Sequence, residues 1–574
     1  MKTFWTTYRA SLAAALVFLV VTLGLFGVYT ARTLKGDIDN HILSSEMFGV
    51  PAAVSAHGIR PLYGPKESGW DGQFYYYMSN DLLARKDASQ HIDSPSYRYQ
   101  RVGLSLYAAI VARLTGQHWV SPATFFVSYL LLIVAATVAG ARLLARFGGQ
   151  PWLILLWSFS VGTQLTLFNA LPDAAADAFL ILSLAILFSR RPGWAFIPFT
   201  FSALSREVYA VFPSAALLFL LLPALRSSGS DAGLPARILA RLRQDHAYLL
   251  LVPGIVAVAW HVYVTRHFGI PPSAQASGIL GLPLVAWSHS YLTALHGNPA
   301  DPKPDFGATE AVNLVLFLVV LAVASWSAVR TVLQRSGTQR ELLRGISLST
   351  LFFALLYLCF GPTVTSHYSG YMKAAAVFFI LVPLMLSVAG AGRMLKGVSY
   401  ALLALALVYS DWVNIDQRVL AQPTYQDQYT KMSTVPTGQP IACFGNYRAD
   451  VRINKITLLK ASGWAAALGN QDRMVINVAL TNTGDFPFVS DHAIGGVFMS
   501  YHWNDANGQT VVDGIRSALP STLMPGQTGN VDVFVPVPDK AGLALRLSPV
   551  QEGCAWFYQA NPQVGAGIAL TLDK

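Results

Sequence analysis

The residues best suited to chemistry begin with one run, Gly69-Trp70-Asp71-Gly72-Gln73-Phe74-Tyr75-Tyr76-Tyr77. A carboxylate set between a tryptophan and a glycine can take a proton from a hydroxyl. Aromatics at this density suit the headgroup level of a membrane. Asp71 is therefore the candidate base, and Trp70, Gln73 and Tyr76 are candidate substrate contacts. A second run follows, Asp93-Ser94-Pro95-Ser96-Tyr97-Arg98-Tyr99-Gln100-Arg101. Arg98 and Arg101, interleaved with tyrosines, offer the planar guanidinium forks that hold phosphate. Either run also reads as an anchor for ordinary lipid. Three further places put charge into apolar surroundings. Asp173 and Asp177 lie one helical turn apart at the expected start of a helix. They suit a metal or an acceptor, or simply a helix N-terminus. Arg206 and Glu207 interrupt a long apolar stretch, where charge is costly and by default functional; a structural Arg–Glu pair at a helix junction is the alternative. His367, Tyr368, Tyr371 and Lys373 make a further polar cluster, for which a snorkelling lysine is the plain alternative. No spacing fixes a metal set, and a divalent ion at the acidic residues stays open.

The elements that must position these residues are membrane helices. Of 574 residues, 53% are hydrophobic and only 12% charged, about half the usual globular share of roughly 25%. Residues 11–30, 125–144 and 311–329 are each long and apolar enough to cross a hydrocarbon core, which takes roughly 20 residues of helix. The first has no small-residue cleavage site and is read as a retained helix rather than a signal peptide. The formal charge of +10 invites a nucleic-acid partner, but the basic residues cluster at helix ends, as a positive-inside signal requires. Spans are expected near 11–30, 121–144, 152–169, 173–189, 194–205, 207–224, 247–266, 309–329, 347–363, 371–389 and 397–413, about eleven crossings in all. With the N-terminus cytoplasmic, every basic cluster falls inside, and residues 31–120 form a long extracytoplasmic loop. Residues 102–114 are apolar but short for a span and read as an interfacial helix on the outer surface. A polytopic transmembrane domain thus occupies residues 1–410.

The pattern changes after Asp411. Residues 411–440 have linker composition, with Pro423, Pro436 and Pro440. Beyond them apolar residues alternate: Ile476, Val478 and Leu480; Val531, Val533 and Val535; Leu543, Leu545 and Leu547. Asn507-Gly508 between two such runs signals a hairpin. Residues 441–574 are therefore expected to form an antiparallel β-sandwich, on the outer side given an odd number of crossings. Cys443 and Cys554 bracket this domain and can form a disulfide in an oxidising compartment; two unrelated thiols are the alternative. Cys359 falls within an expected span as an inert packing residue.

The run Trp70–Tyr77 resembles the first-loop signature of the GT-C superfamily of membrane glycosyltransferases. It is similar above all to the bacterial branch related to the GPI mannosyltransferases, where a W/Y-D-G-Q-x-Y run precedes a Y-R-Y-x-R run. Here Tyr97-Arg98-Tyr99-Gln100-Arg101 supplies the second, and Leu204-Ser205-Arg206-Glu207 resembles a third element, L-T-R-E. The resemblance covers roughly residues 10–400, and the order of the motifs adds to their specificity. It implies a sugar transferred from a polyprenyl-phosphate donor to a cell-envelope glycan or glycolipid acceptor on the outer face of the bacterial inner membrane. Asp71 is implied as the base, and Arg206 and Lys373 as contacts to the lipid phosphate. The family's second acidic position corresponds only loosely to Asp173-Ala174-Ala175-Ala176-Asp177. The C-terminal domain looks like sandwich domains appended to bacterial polysaccharide enzymes, through Arg516-Ser517-Ala518-Leu519-Pro520, Pro525-Gly526 and Gln551-Glu552-Gly553-Cys554-Ala555-Trp556-Phe557. Glycan binding through exposed aromatics such as Tyr501 and Trp503 is the corresponding expectation, with a place in the domain core as the alternative for both. A transporter or flippase of lipid-linked sugars and a non-catalytic assembly protein are the competing readings.

Overall fold

A computed structural model describes residues 2–64, 68–189, 191–226, 233–276, 278–296, 307–333, 338–388, 392–415, 441–459, 472–490, 494–538 and 542–569. These form two compact units, one helical and one rich in β-strands. The helical unit follows the hydropathy of its segments. Six helices are long and apolar enough to cross a membrane: Tyr8–Arg32, Pro122–Arg146, His246–Phe268, Thr309–Val332, Tyr368–Val388 and Arg393–Val413. A seventh crossing is added if Pro151–Ser158 and Val161–Phe168, bent by 53°, form one span. Apolar side chains stay exposed on outward faces, as on Leu16 (60%) and Ile255 (64%), where a hydrocarbon solvent can cover them.

The count falls short of the expected eleven for a physical reason. The segments at 173–189, 194–205 and 207–224 are helical but short, as Asp173–Leu187, Phe196–Ser205 and Val211–Arg226. Fifteen residues reach about 22 Å at roughly 1.5 Å each, against a core of roughly 30 Å. The segment at 347–363 likewise appears as helix Thr338–Leu358.

The described residues of 31–120 carry helices, as the expected loop with interfacial helices requires. They contain the 3-10 turn Ile38–Ile42 and helices Gly72–Ser79, Pro95–Tyr99 and Gly103–Leu114. The last matches the expected short helix at 102–114. Gly103 begins it because a Cβ there would lie 2.3 Å from Ser205 Oγ, so the helix abuts the 205–207 break. The expected linker starts too early: Asp411–Ile415 still belong to helix Arg393–Ile415. Its remainder, 416–440, lies outside the described residues.

The C-terminal unit has the expected alternation. Strands β1 (Ala449–Leu459), β2 (Arg473–Asn482) and β6 (Thr528–Pro536) make one antiparallel sheet in the order β1-β2-β6. β3 (Val497–Asn504), β4 (Thr510–Asp513), β5 (Ser517–Ala518), β7 (Ala544–Gln551), β8 (Ala555–Trp556) and β9 (Ala566–Ala569) make a second. β3 and β4 form the hairpin around Asn507-Gly508. Gly508 takes φ +77°, and the Asp505 carboxylate accepts the backbone N–H groups of Asn507 and Gln509 at 2.9 Å each. One core takes side chains from both sheets: Ile476, Val478 and Val533 from the first, Met499, Leu545 and Leu547 from the second. Tyr501 and Trp503 belong to that core, each 1% exposed, which overturns their expected place on a binding surface. Alternation along β3 turns both inward, and the Trp503 indole N–H is used by the Pro536 carbonyl at 3.2 Å. Cys443 and Cys554 are joined in a disulfide with Cα atoms 5.5 Å apart. Cys359 is free and lies just past the end of helix Thr338–Leu358, not within it.

Candidate functional site

Asp71 is held by a turn that the residues around it build. Gly69 has φ +63°, a conformation natural to glycine. The Trp70 N–H donates to the Leu43 carbonyl at 3.2 Å. The Gln73 amide binds the turn from within: its Oε1 accepts from Ser45 N–H at 3.0 Å, and its Nε2 donates to the carbonyls of Ser68 (2.9 Å) and Trp70 (3.0 Å). A Cβ on Gly72 would lie 2.0 Å from the Asn169 carbonyl oxygen. Only glycine allows the start of helix Gly72–Ser79 to press on the turn that leads into Asp173.

These facts move two expected substrate contacts into the framework. Gln73 and Tyr76 are both 0% exposed. Helix Gly72–Ser79 is covered on every side, so its aromatics pack inward, Tyr76 against Phe125 with ring centres 5.9 Å apart. Trp70 remains half-buried at the rim of the turn.

The charged candidates converge as ion pairs between distant parts of the chain. Arg98 donates from Nη1 to Asp71 Oδ2 at 2.7 Å, and grips Asp93 through Nε (2.9 Å) and Nη2 (2.8 Å). Its guanidinium carbon also stands 5.2 Å from the Phe74 ring centre. Arg101 binds both oxygens of Glu207 at 3.1 Å and lies over the Tyr97 ring at 4.2 Å. Arg206 pairs with Asp173 at 3.2 Å. The adjacent Arg206 and Glu207 thus do not pair with each other. Arg206 is extended, with φ −146° and ψ 114°, between helix Phe196–Ser205 and the 3-10 turn Glu207–Ala210, and the break directs the two side chains to different partners.

Lys373 completes the cluster. Its helix, Tyr368–Ala375, packs so closely at Gly162 that a Cβ there would lie 2.8 Å from the Lys373 Cα. Its ammonium interacts electrostatically with both Asp71 and Asp173. Among the described residues, Lys373 alone of the cluster's four cations has no carboxylate at ion-pair distance. The described contacts of His367 are local: its Nδ1 meets Ser369 Oγ at 2.6 Å and caps the same helix.

The electrostatics single out Asp71. Its side chain remains 43% accessible although protein surrounds it, which leaves the carboxylate within reach of solvent. Burial alone would raise its pKa, but the charges of Arg98, Lys373 and Arg101 outweigh that and hold it below the ordinary carboxylate value. Asp71 therefore carries a negative charge at neutral pH, with Oδ2 engaged by Arg98 and Oδ1 turned to no described donor. Such a group can accept a proton, and the adjoining cations can meet an anion. No group of three or more His, Cys, Asp or Glu side chains among the described residues could hold a metal ion, and Asp71, Asp173 and Glu207 are each already paired with an arginine.

Sequence reasoning missed Tyr209 and Trp157, which both bond to Asp177. The signal for Tyr209 was its position one turn after Arg206; Trp157 gave none. No protein-family model, curated protein or solved structure matches this chain.

Proposed function

We propose that this protein is a GT-C-like glycosyltransferase, moving a sugar from a polyprenyl-phosphate donor to an envelope glycan or glycolipid on the outer face of the bacterial inner membrane. One observation carries the reading: an ionised, partly accessible Asp71 stands beside Arg98, Arg101 and Lys373, cations supplied by two separate segments of the chain. In the reaction the acceptor oxygen bonds to the anomeric carbon as the bond from that carbon to the phosphate oxygen breaks. The acceptor proton passes to Asp71 Oδ1. The bonding electrons leave with the lipid phosphate, whose charge Lys373 and Arg206 meet without needing to reorganise. The bundle's apolar outer faces suit the lipid tail.

The finer architecture belongs to the same proposal. Eleven crossings, counting the short helices, put every basic cluster on the cytoplasmic side. The strand-rich unit is then a periplasmic β-sandwich, supported by the core its two sheets share and by a disulfide that persists in an oxidising compartment.

The bent pair Pro151–Ser158 and Val161–Phe168 favours a second reading, since broken helices line the substrate path of transporters. Purified protein in lipid vesicles, given radiolabelled polyprenyl-phosphate sugars and crude envelope glycolipid, separates the two. A transferase leaves label on the acceptor. Label that only changes leaflet, with none on the acceptor, replaces this reading with the transporter.

A further inference from the structure

Asp177 has no part in the chemistry above, yet it is a carboxylate only 1% exposed inside an apolar bundle. An acid there is costly unless bonded, and its presence calls for a role. Both of its oxygens are taken. Oδ2 accepts from the Trp157 indole N–H at 3.1 Å, and Oδ1 accepts from the Tyr209 hydroxyl. Trp157 is 0% exposed and Tyr209 4%, and the Tyr209 ring is packed edge-on against Phe353 at 5.0 Å. The hydroxyl therefore has one place to be.

Asp177 lies one turn after Asp173 on the same helix face, and Tyr209 lies one turn after Arg206. The two elements are joined by two rungs, Asp173–Arg206 and Asp177–Tyr209. The first is partly open, with the Arg206 side chain 18% accessible; the second is sealed. Arg206 is the extended residue at the helix break and has no continuous helix to set its direction. Its N–H donates to Ser202 at 3.0 Å, and its carbonyl accepts from the Tyr209 N–H at 3.0 Å. Tyr209 is thus tied to Arg206 by backbone and to Asp177 by side chain. Whatever fixes the hydroxyl fixes the break.

We infer that Asp177 is a positioning residue for the anion site. Through Tyr209 it holds the 206–209 turn, so that Arg206 points at Asp173. The inference rests on the transferase reading for the identity of the anion, a lipid phosphate. Full-length protein in lipid nanodiscs tests it, with polyprenyl phosphate as the binding probe and sugar transfer as a second readout. Tyr209→Phe deletes one hydroxyl, and weakens probe binding about tenfold, with kcat/KM for the donor falling in step. Asp177→Asn, which keeps one acceptor oxygen for two donors, does the same; if it fails to fold, Tyr209→Phe decides alone. Added to Arg206→Lys, Tyr209→Phe has less than about a twofold further effect, because residues acting as one unit are non-additive. Equal probe binding by wild type and Tyr209→Phe, or effects that multiply on the Arg206→Lys background, would overturn the positioning role while leaving the donor reading intact. A wild type that binds no polyprenyl phosphate overturns the donor reading and, with it, this inference.

Discussion

Both units of this protein contain an arginine held between carboxylates and laid over an aromatic ring, and the two arrangements differ in what they leave open. In the helical unit Arg98 bridges Asp71 and Asp93 beside Phe74. In the strand-rich unit Arg516 bridges Asp513 and Glu552 over Trp556. The second keeps its carboxylates at the surface and buries its ring: Trp556 is 8% exposed, with Arg516 on one contact and the His502 ring 3.7 Å away on another. His502 is in turn held by Tyr558 at 2.7 Å. Arg516, Asp513, Glu552 and His502 each reach a neighbour, so the cluster clamps β8 onto β3 and β7. In the first, one oxygen of Asp71 and the Lys373 ammonium have no such partner among the described residues. The same residue types make a clamp in one place and, under the proposed function, a reactive site in the other.

Breaking the clamp should cost stability and spare the chemistry. Trp503→Ala removes a fully buried indole from the strand-rich core and is expected to destabilise that unit by about 3–5 kcal/mol, read as a lower melting transition with polyprenyl-phosphate binding unchanged. Loss of binding with the fold intact would return Trp503 to a ligand site. Reduction of the Cys443–Cys554 disulfide, which closes a loop over a separation of 111 residues, is expected to cost about 4 kcal/mol in the same unit. Scanning calorimetry with and without reductant measures it.

Changes in the helical cluster should do the reverse. Lys373→Met removes the unpaired cation and is expected to weaken polyprenyl-phosphate binding about 10- to 100-fold, the range for a hydrogen bond to a charged group, with little change in melting. Arg516→Met, the matched change in the other unit, leaves carboxylates exposed enough to be solvated and should cost only about 1 kcal/mol. Equal effects of the two on binding would erase the distinction.

The pH dependence of transfer sharpens it further. The Asp71 carboxyl is held below its ordinary value, so its base form and its ion pair with Arg98 are present above pH ~4. Both are lost only as pH falls through the lower folded value. Transfer should be flat between about pH 5 and 7, with its acid limb below the usual range for aspartate. In Arg98→Met the limb should move upward, because burial then acts against a weaker field. A wild-type limb near pH 6 would assign the base to another group. The smallest expected effect is that of EDTA: with the cluster's acids already paired to arginines, chelation should leave transfer unchanged, and a loss restored by one divalent ion would contradict the pairing described here.

What was legible in the sequence follows the range of the interaction concerned. Local patterns carried through: the alternation in β2, β6 and β7, the Asn507-Gly508 hairpin, and the two runs that hold Asp71, Arg98 and Arg101. Long-range pairing was not legible. Nothing in the adjacency of Arg206 and Glu207 tells that one turns to Asp173 and the other to Arg101, because an extended residue at position 206 separates them. Gln73 and Tyr76 looked like site residues because they sit beside Asp71, but a helix covered on every side turns its polar groups to framework use. Hydropathy also cannot separate a lipid-facing helix from one buried in protein. The window that marks Tyr368–Val388 as a span is 83% buried, while that of His246–Phe268 is 22% buried. Trp503 was misread for a related reason, since in a short strand the inward face is set by pairing, not by residue type.

In the proposed reaction Asp71 takes the acceptor's proton. Asp71→Asn keeps the size of the side chain and removes the base. In nanodiscs, beside the wild type, it should bind polyprenyl phosphate with unchanged or slightly greater affinity, while sugar transfer falls by about 10²–10⁴-fold, the usual contribution of a general base. Transfer by Asp71→Asn at the wild-type rate, with binding intact, would contradict the claim and move the base elsewhere in the cluster.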